Sequence, residues 1–541
     1  MQQSPYPEWL KDAILYQIFP ASYCDSNGDG IGDLNGICSK LDHIQSTGAD
    51  TLWLSPIFDS PFRDAGYDVR DYKAIAPRYG TMEDLEQLVA ETHARGMRLL
   101  LDFIPGHTSN EHPWFIESSK HTRNAYSDWY VWTDRTFDLN FKAPGQYING
   151  HAERDGNYLA NFFYFQPALN YGFADPDPLQ AWQLPVDHPS VQALRAEIHS
   201  IMRFWLDKGI DGFRVDMAAF LVKGTQPERI QECMIEFWKD VRSWWDRDYP
   251  DALLLAEWSD PTKAIESGFH LDFMIHFGDA SGMKPFRAEN NRTIFPSDDA
   301  SYFDRQVQGD IHAFFEQFME YRKNIEGRGF LSLPTGNHDL PRFSVDRSAE
   351  DLKLIYAFLL TLPHVPTIYY GDEIGMRNFS DLTSKEGGYV RTGARTPMQW
   401  DTTENAGFSK AGVEALYLPL DPDPQRPLVS QQIQDSDSLL HHMQSLIQLR
   451  KSHPALGSAG RIHLLNTENE NHPLLYLREN EGQAALIAIN PLNQPRQINF
   501  NQEGQAGEIL SGHATLTPSS TTPTHQIQIE ALSYAIFEWE L

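Results

Sequence analysis

The sequence predicts an α/β protein built on a closed TIM-type (β/α)8 barrel, with a domain inserted after strand three and a C-terminal antiparallel β-sandwich. Three observations predict this arrangement. Eight short β-type runs alternate with amphipathic stretches, residues 105–211 separate the third and fourth runs, and helical periodicity ends after about residue 456. Strands that alternate with helices form parallel sheets, and eight such units close into a barrel.

The barrel elements follow in chain order. The eight predicted strands are ILYQIF (14–19), TLWLS (51–55), RLLLDFI (98–104), GFRVDM (212–217), LLLAEW (253–258), DFMIHF (272–277), FLSLPTG (330–336) and TIYYG (367–371). Apolar residues at helical spacing predict helices at 85–96, 191–209 and 351–362. Because two prolines interrupt the apolar run 354–370, this run predicts a buried helix followed by a strand, and no membrane span.

Two segments depart from the alternation. Residues 105–174 are rich in Asn, Tyr, Phe, Gly and Pro, as expected of a domain inserted between strands three and four. The runs at 473–480, 483–490, 526–531 and 534–540 read as antiparallel strands, with a loop at 515–524. We therefore expect the barrel at 1–104 and 175–456, the inserted domain at 105–174, and the β-sandwich at 457–541.

The composition restricts the function classes. The 541 residues carry 44 Lys and Arg against 74 Asp and Glu, a net charge of −30. Such a surface repels phosphate backbones and anionic lipids, so nucleic-acid and membrane partners are not expected, and solubility explains the charge. The cysteines Cys24, Cys38 and Cys233 give no disulfide framework or zinc spacing. With no signal segment in the opening residues, we expect a cytoplasmic monomer or homodimer.

Acidic residues follow three of the predicted strands. Asp216 ends strand four, Glu257 ends strand five, and Asp339 follows strand seven beside His338. The chemistry of such barrels lies at the carboxyl ends of the strands, and two carboxylates about 5–5.5 Å apart suit glycoside hydrolysis by double displacement. Arg214 precedes Asp216 by two residues, so it points to the same side and favours the ionised form. From spacing alone, structural barrel carboxylates remain an equal alternative.

A candidate metal loop follows the first strand. In DSNGDGIGD, Asp25, Asn27, Asp29 and Asp33 offer side-chain oxygens at alternate positions, and the Ile31 carbonyl offers a fifth oxygen. Oxygen ligands wrapped around a glycine turn suit Ca²⁺. The alternative is a turn rich in Asp, Asn and Gly that binds no metal.

Ordered motifs along most of the chain carry a family resemblance. The chain resembles the α-amylase superfamily, glycoside hydrolase family 13, in GYDVRDY (66–72), DFIPGHTS (102–109), QPALN (166–170), GFRVDM (212–217), AEW (256–258), GNHDLPR (336–342), YYGDEIGM (369–376) and RTPMQWD (395–401). The last two motifs and the opening segment are similar to the branch that contains α-glucosidases, oligo-1,6-glucosidases and trehalose synthases. The resemblance also implies a structural calcium in the loop after strand one.

The resemblance implies roles for the acidic residues. Asp216 is expected to be the nucleophile that forms a β-glucosyl ester. Glu257 is expected to be the general acid and then the general base, with a pKa raised by burial and by the charge of Asp216. Asp339 is expected to bind sugar hydroxyls more tightly as the ring flattens.

The resemblance also assigns the residues around the glucose. Arg214 would orient Asp216, while His107 and His338 would donate hydrogen bonds to the sugar, and Tyr67 would stack on it. An ion pair between Asp68 and Arg342 would close the pocket at the non-reducing end of the substrate. A closed pocket implies exo action on short, neutral α-glucosides.

Other positions depart from the family pattern and leave the linkage preference open. Gly106 stands where most relatives have Asn, Ala168 where they have Asp, and Thr392 and Gly393 where charged or amide residues are common. Met217 also departs from the residue that usually follows the nucleophile. These positions predict an unusual acceptor side.

Three functions remain open at this point. The first is a retaining, exo-acting α-glucosidase with transglucosylation activity. The second is a glucosyltransferase or isomerase of the trehalose synthase type, because the same carboxylates serve hydrolysis and transfer. The third is a non-catalytic relative such as a transporter subunit, which the presence of all three acids disfavours.

Overall fold

Buried parallel strands form the centre of the molecule. The computed structural model describes residues 4–137, 145–150, 152–274, 284–286, 301–306, 309–466, 471–518 and 524–541. The strands before residue 400 are β1 (Leu15–Ile18), β2 (Thr51–Leu54), β3 (Phe58–Asp59), β4 (Asp71–Ile75), β5 (Arg98–Phe103), β6 (Gln146–Asn149), β7 (Asn157–Ala160), β8 (Gly212–Val215), β9 (Leu253–Ala256), β10 (Leu271–Phe273), β11 (Phe330–Ser332) and β12 (Thr367–Tyr369).

The remaining elements surround these strands or follow them. The helices are α1 (Leu34–Cys38), α2 (Leu41–Ser46), α3 (Met82–Ala94), α4 (Pro113–Ser118), α5 (Pro189–Asp207), α6 (Pro227–Asp248), α7 (Pro261–Ser267), α8 (His312–Ile325), α9 (Ala349–Thr361), α10 (Val429–Gln432) and α11 (Leu439–Ser452). The later strands are β13 (Arg461–Leu464), β14 (Leu474–Asn480), β15 (Gln483–Asn490), β16 (Arg496–Phe500), β17 (Gln505–Gly512), β18 (Thr515–Pro518), β19 (His525–Ile529) and β20 (Ser533–Glu540).

The eight predicted barrel strands pair in parallel and confirm the predicted fold class. Their order in the sheet is β11-β10-β9-β8-β5-β2-β1-β12, and a parallel bridge between Pro334 and Thr367 joins the two ends. Strands β1, β2, β8 and β9 are buried along their whole length, as expected when helices cover one face of a barrel and side chains fill the other. The short apolar runs of the sequence follow from this double burial.

Two of the predicted strands need qualification. Strand seven was predicted to reach residue 336, but β11 ends at Ser332, so His338 and Asp339 lie in the loop that follows. Pro334 lacks an amide hydrogen and cannot donate a hydrogen bond to a neighbouring strand, although it still forms the bridge to Thr367. The last part of predicted strand six, residues 275–277, lies outside the described residues.

The helices begin where local side-chain caps place them. Thr81 caps α3 and exchanges hydrogen bonds with Asp84, and Ser348 caps α9 in the same way with Asp351. These capping boxes satisfy amide groups that have no partner within the helix. All three predicted helices are confirmed, as α3, α5 and α9.

Between β5 and β8 the chain forms a separate small structure. Strands β6 and β7 pair antiparallel, and a cluster of apolar side chains lies behind them. This cluster contains Val131, Leu159, Ala168, Phe173 and Trp182. The segment sits in the predicted insertion, but its boundaries at 105 and 174 stay predictions, as does the boundary at 457.

The C-terminal strands form the predicted β-sandwich. One sheet has the order β13-β14-β15-β20-β17, and the other has β16-β19-β18. Along β14, Leu474 and Tyr476 join the barrel core, while Leu475 and Leu477 join a second core between the two sheets. Alternate residues of a strand point to opposite faces, so one strand serves both cores. The predicted loop at 515–524 is wrong at its start, because residues 515–518 form β18; residues 519–523 lie outside the described part.

Nothing in the described part of the chain is suited to cross a membrane. Its helices all fall short of the length or the apolar character that a span requires.

Candidate active site

An ion-pair network centred on Arg214 lies at the carboxyl ends of β5, β8 and β9. The register of β5 and β8 places Asp102 beside Arg214, and the guanidinium donates to Asp102 Oδ1 at 2.8 Å. It also lies 3.0 Å from Asp216 Oδ1 and 2.6 Å from Glu257 Oε1. All four side chains are buried. One cation therefore holds three carboxyl groups in a site that excludes most water.

The two proposed catalytic acids occupy turns that directly follow their strands. Asp216 follows β8 and Glu257 follows β9. The amide of Met217 donates to Glu257 Oε2 at 2.9 Å, so the residue after one acid orients the other. Met217 has a φ of 44°, which is uncommon for a side chain with a Cβ atom. Such strained backbone is typical of functional sites.

The surroundings of Asp216 disfavour its ionised form. Burial first, and the adjacent Glu257 carboxyl second, raise the pKa of Asp216 well above its ordinary value, although Arg214 opposes the shift. Asp216 and Glu257 contact the same guanidinium, that of Arg214, so their carboxyl groups lie close together. A neighbouring negative charge disfavours ionisation of a carboxyl group.

A second network connects Tyr67 and His338 to the first. The hydroxyl of Tyr67 donates to Asp102 Oδ2 at 3.0 Å and lies 2.7 Å from His338 Nε2. The amide nitrogen of Gln17 lies 2.9 Å from His338 Nδ1. Because the Gln17 amide can only donate there, the proton of the ring is assigned to Nε2. Burial lowers the pKa of His338 to about 3, so the ring is neutral at physiological pH.

Tyr67 presents less of its ring to the pocket than the sequence suggests. One face of the ring stacks on His338, with centroids 5.2 Å apart and planes at 12°. The other face is the one left for the sugar stacking that the resemblance implies.

Asp339 lies among cations, as a permanently ionised carboxylate would. Burial opposes ionisation, but His338 and the guanidinium groups of Arg391 and Arg395 outweigh it and hold the pKa of Asp339 well below its usual range. Arg391 donates to Asp339 Oδ1 at 2.8 Å, and Arg395 donates at 3.0 Å. Asp64 lies 3.5 Å from Arg391. These residues form one cluster of paired charges.

His107 is fixed at both ring nitrogens. Nε2 lies 3.1 Å from the Tyr67 carbonyl, and Nδ1 lies 3.3 Å from the side-chain amide of Asn161. Burial lowers the pKa of His107 to about 4, so this ring is also neutral. Donation from His107 to a sugar, which the resemblance implies, would require one of these contacts to be exchanged.

The predicted ion pair between Asp68 and Arg342 is wrong. Arg342 is fully buried and donates to Asp372 at 2.6 Å and to the Tyr370 carbonyl at 2.7 Å. Asp68 instead accepts the backbone amides of Arg63 and Asp64, at 3.0 and 3.1 Å. Burial raises the pKa of Asp68 to about 6. Asp68 and Arg342 do not pair, because each has other partners close by.

The sequence did not lead us to predict the two cations that contact Asp339, which are Arg391 and Arg395. Arg395 begins the motif RTPMQWD, and Arg391 stands four residues earlier, so the signal was available in the motif that carried the resemblance. Asp64 precedes GYDVRDY by two residues. Their partners come from distant parts of the chain, and residue spacing does not reveal such pairs.

The residues that depart from the family pattern are packed tightly. Gly393 leaves no room for a side chain, because a Cβ atom there would meet the Phe379 carbonyl. Thr392 is buried beside it, and Ala168 is buried in the apolar cluster of the insertion. At Gly106 a Cβ atom would lie 2.9 Å from the amide nitrogen of Asn161. Asn161 therefore fills the space next to His107 that a longer residue at 106 would occupy.

The predicted calcium loop is closed by its own hydrogen bonds. Asp25 Oδ1 accepts the amides of Asn27 and Gly28, and Asp29 Oδ1 accepts the amide of Ile31 at 2.9 Å. Asp33 caps α1 through the amide of Gly36. The five oxygen donors have the chemistry that Ca²⁺ takes. In the described residues, however, no three His, Cys, Asp or Glu side chains are grouped to hold a metal, so the calcium site stays a prediction.

Comparisons with known proteins identify the family. The α-amylase catalytic-domain model matches residues 17–459. Oligo-1,6-glucosidase of Parageobacillus thermoglucosidasius is 33% identical over 525 residues, which cover 82% of this chain and 84% of that protein. The trehalose synthase/amylase of Mycolicibacterium smegmatis is 32% identical over 554 residues, covering 93% and 87%.

A solved structure agrees with both sequence comparisons. The trehalulose synthase of Pseudomonas mesoacidophila superposes with a TM-score of 0.79 at 26% identity, covering 98% of this chain and 99% of that one. The matched model extends over most of the barrel, including the network around Arg214. The chain belongs to the α-amylase family of glycoside hydrolases.

Proposed function

We propose that the protein is a retaining, exo-acting α-glucosidase that cleaves the non-reducing-end glucose of short, neutral α-glucosides and also transfers it. The observation that carries this proposal is the contact of one guanidinium, that of Arg214, with both Asp216 and Glu257. This shared contact holds the proposed nucleophile, Asp216, and the proposed general acid, Glu257, in one buried site beside the ionised Asp339. The relatives named oligo-1,6-glucosidase support the same activity.

The first half-reaction transfers glucose to the protein. An oxygen of Asp216 bonds to the anomeric carbon while the glycosidic C–O bond breaks, and its electron pair stays on the leaving oxygen. Glu257 gives that oxygen its proton. This step requires Glu257 to carry a proton and Asp216 to be ionised when substrate is bound.

The second half-reaction releases the glucose. A hydroxyl of water or of another acceptor bonds to the anomeric carbon, gives its proton to the Glu257 carboxylate, and breaks the ester bond back to Asp216. Asp339 would hold sugar hydroxyls throughout, because its carboxylate faces the same pocket and stays ionised. Hydrolysis and transfer differ only in the acceptor.

The wall formed by Asp64 and Arg391 supports exo action. Arg391 contacts both Asp64 and Asp339, and we infer that this charge network closes one side of the pocket. A pocket closed at one end admits one terminal glucose. This wall takes the place of the ion pair that the sequence led us to expect between Asp68 and Arg342.

A second candidate function is sugar isomerisation. It is favoured by the trehalose synthase/amylase relative and by the trehalulose synthase structure, one mutant of which is in complex with isomaltulose. An isomerase would use the same first half-reaction and return the glucose to the released sugar.

Product analysis separates these functions. Purified protein is incubated with maltose, isomaltose, nigerose, kojibiose, trehalose and sucrose, and the products are resolved by chromatography. Glucose as the main product supports the α-glucosidase, and longer oligosaccharides show transfer. A new disaccharide at constant total glucose would replace the proposal with isomerisation. Absence of any product from all six would contradict both.

We also propose a structural calcium ion in the loop after β1, held by Asp25, Asn27, Asp29, the Ile31 carbonyl and Asp33. The donor chemistry of the loop and the family resemblance support it. The ion would fix the loop and take no part in the reaction.

Cellular location and assembly complete the proposal. Three free cysteines, with no disulfide among them, support a reducing compartment such as the cytoplasm. A monomer or homodimer is expected, and light scattering after size-exclusion chromatography measures it. Because the proposed substrate is a small neutral sugar, we expect the protein to need no charged macromolecular partner.

A further inference from the structure

The turn that follows Glu257 is held by one buried carboxyl group from the neighbouring strand. Asp272 lies in the middle of β10, where it pairs in register with Ala256, the last residue of β9. Its Oδ1 accepts the amide of Trp258 at 2.9 Å, and its Oδ2 accepts the amide of Asp260 at 3.0 Å. Asp272 has no exposed surface. The proposed general acid therefore stands directly before a turn that Asp272 holds at two points.

The backbone of Glu257 itself is bonded to the opposite neighbour, β8. Its amide donates to the Val215 carbonyl at 3.0 Å, and its carbonyl accepts the amide of Ala218 at 3.2 Å. The chain at Glu257 is thus attached towards β8 by its own peptide groups and towards β10 through Asp272. Because several rotatable bonds separate a glutamate carboxyl group from the backbone, a small rotation of this turn would displace that group.

The backbone between the two bonded amides is strained. Ser259 has a φ of 62°, in the left-handed region that residues other than glycine seldom adopt. Its hydroxyl oxygen is buried and has no hydrogen-bond partner within the described part of the chain. The Ser259 side chain therefore does not hold the turn. Strained backbone persists where the surrounding contacts impose it, and the amides on either side of Ser259 supply such contacts through Asp272.

The bonding of Asp272 fits an acceptor of backbone amides. Backbone amides can only donate, and each oxygen of Asp272 receives one. Burial raises the pKa of Asp272, and these amides oppose the shift. A buried carboxylate destabilises a fold unless hydrogen-bond donors compensate for it. What Asp272 provides in return is a fixed pair of acceptors for the turn that carries Glu257.

We propose that Asp272 is a positioning residue for the general acid: it fixes the turn after β9 so that the Glu257 carboxyl group reaches the leaving oxygen. This inference rests on the proposed role of Glu257. Asp272 acts through the backbone, since its oxygens are occupied by amides, and it neither gives nor takes a proton in the reaction. Its loss should therefore affect the steps in which Glu257 transfers a proton, and leave attack by Asp216 largely intact.

The experiment compares two donors that differ in their need for an acid. Maltose leaves a sugar oxygen that takes a proton from Glu257, whereas the fluoride of α-glucosyl fluoride leaves without one. For both donors kcat/KM reports the first half-reaction. Asp272→Asn places a side-chain NH₂ group against a backbone amide, so the turn should shift. We expect kcat/KM to fall roughly 10- to 100-fold with maltose and less than about threefold with α-glucosyl fluoride.

The controls separate positioning from loss of stability. The ratio of the two kcat/KM values does not depend on the fraction of a variant that is folded. Asp351→Asn is the matched variant, because Asp351 is also buried and accepts a backbone amide, that of Ser348 at 2.9 Å, in the cap of α9. Its ratio should stay within about twofold of the wild type. Asp272→Ser, whose smaller side chain removes both acceptor oxygens, should shift the ratio in the same direction as Asp272→Asn.

The outcomes distinguish this inference from the proposed function. An unchanged ratio in Asp272→Asn and Asp272→Ser, whether activity is kept or lost equally with both donors, overturns the positioning role. An equal shift of the ratio in Asp351→Asn overturns it as well. If the wild type releases no fluoride, or if Glu257→Gln loses activity equally with both donors, it is the proposed function that fails.

Discussion

Arg342 donates to Asp372 at 2.6 Å, and both side chains are almost completely buried. Arg342 also donates to the carbonyl groups of Tyr370 and Ala394. Asp372 in turn accepts the hydroxyl of Thr335 at 2.7 Å. These bonds join the loop after β11 to the chain after β12, so we expect the pair to stabilise this part of the fold.

The first prediction follows from this burial. Arg342→Met should lower the free energy of unfolding by about 3–5 kcal/mol, because Asp372 would keep a buried charge without its cation. Urea unfolding followed by fluorescence measures the change. Arg391→Met is the matched comparison, since it removes a guanidinium that contacts Asp339 directly; it should lower kcat/KM strongly with a smaller loss of stability. A fully stable, inactive Arg342→Met variant would contradict the structural role.

The second prediction separates the nucleophile from the acid. Glu257→Gln should lower kcat/KM for maltose by roughly 10²–10⁴-fold, because the leaving oxygen loses its proton donor. The same variant should still release fluoride from α-glucosyl fluoride, since fluoride leaves without protonation. Asp216→Asn should fail with both donors, because no ester can form. Circular dichroism checks that both variants are folded, and wild-type turnover by Asp216→Asn would refute the assignment.

The third prediction concerns pH. The pKa of Asp216 is raised by burial first and by Glu257 second, so in the free protein kcat/KM should fall on the acid side at a higher pH than for an ordinary aspartate. Asp216 must be ionised to attack, and therefore activity is lost as the pH falls through this raised pKa. With α-glucosyl fluoride as donor, Glu257→Gln should leave this acid limb close to its wild-type position, because Glu257 is already protonated and neutral in the active form. A limb that moves to clearly lower pH would show that Glu257 is ionised on this limb and would contradict its assignment as the general acid.

Much of the fold follows from the sequence because burial acts on short segments. Strands buried on both faces, such as β8 and β9, appear as continuous apolar runs, and each catalytic acid stands directly after its run. The partners of charged residues cannot be predicted in this way. Arg342 is the last residue of the motif that holds Asp339, yet it is Arg391, from a distant loop, that contacts Asp339. Folding brings such pairs together from distant segments of the chain. Neither periodicity nor residue spacing therefore predicts which cation will pair with a given carboxylate.

The fourth prediction tests whether an asparagine side chain at position 106 can replace that of Asn161 next to His107. Asn161 donates to the Gly106 carbonyl at 2.9 Å and contacts His107, while a side chain at 106 would collide with it. Gly106→Asn alone and Asn161→Gly alone should each lower kcat/KM by roughly tenfold, the effect of losing one hydrogen bond to a buried ring. The double variant should exceed both single variants, because the new amide occupies the vacated space. Additive losses in the double variant would show that the two positions are independent.

The fifth prediction tests the calcium loop. Calcium at a hundred times its dissociation constant should stabilise the folded protein by about 2.7 kcal/mol, which raises the melting temperature by a few degrees, and a chelator should reverse the rise. Asp29→Asn is the matched variant, because its side-chain oxygen can still accept the amide of Ile31 while the negative charge is lost. It should melt like chelated wild type and respond weakly to calcium. Equal responses of the two proteins, or no response of the wild type, would remove calcium from this loop and leave a turn held by its own hydrogen bonds.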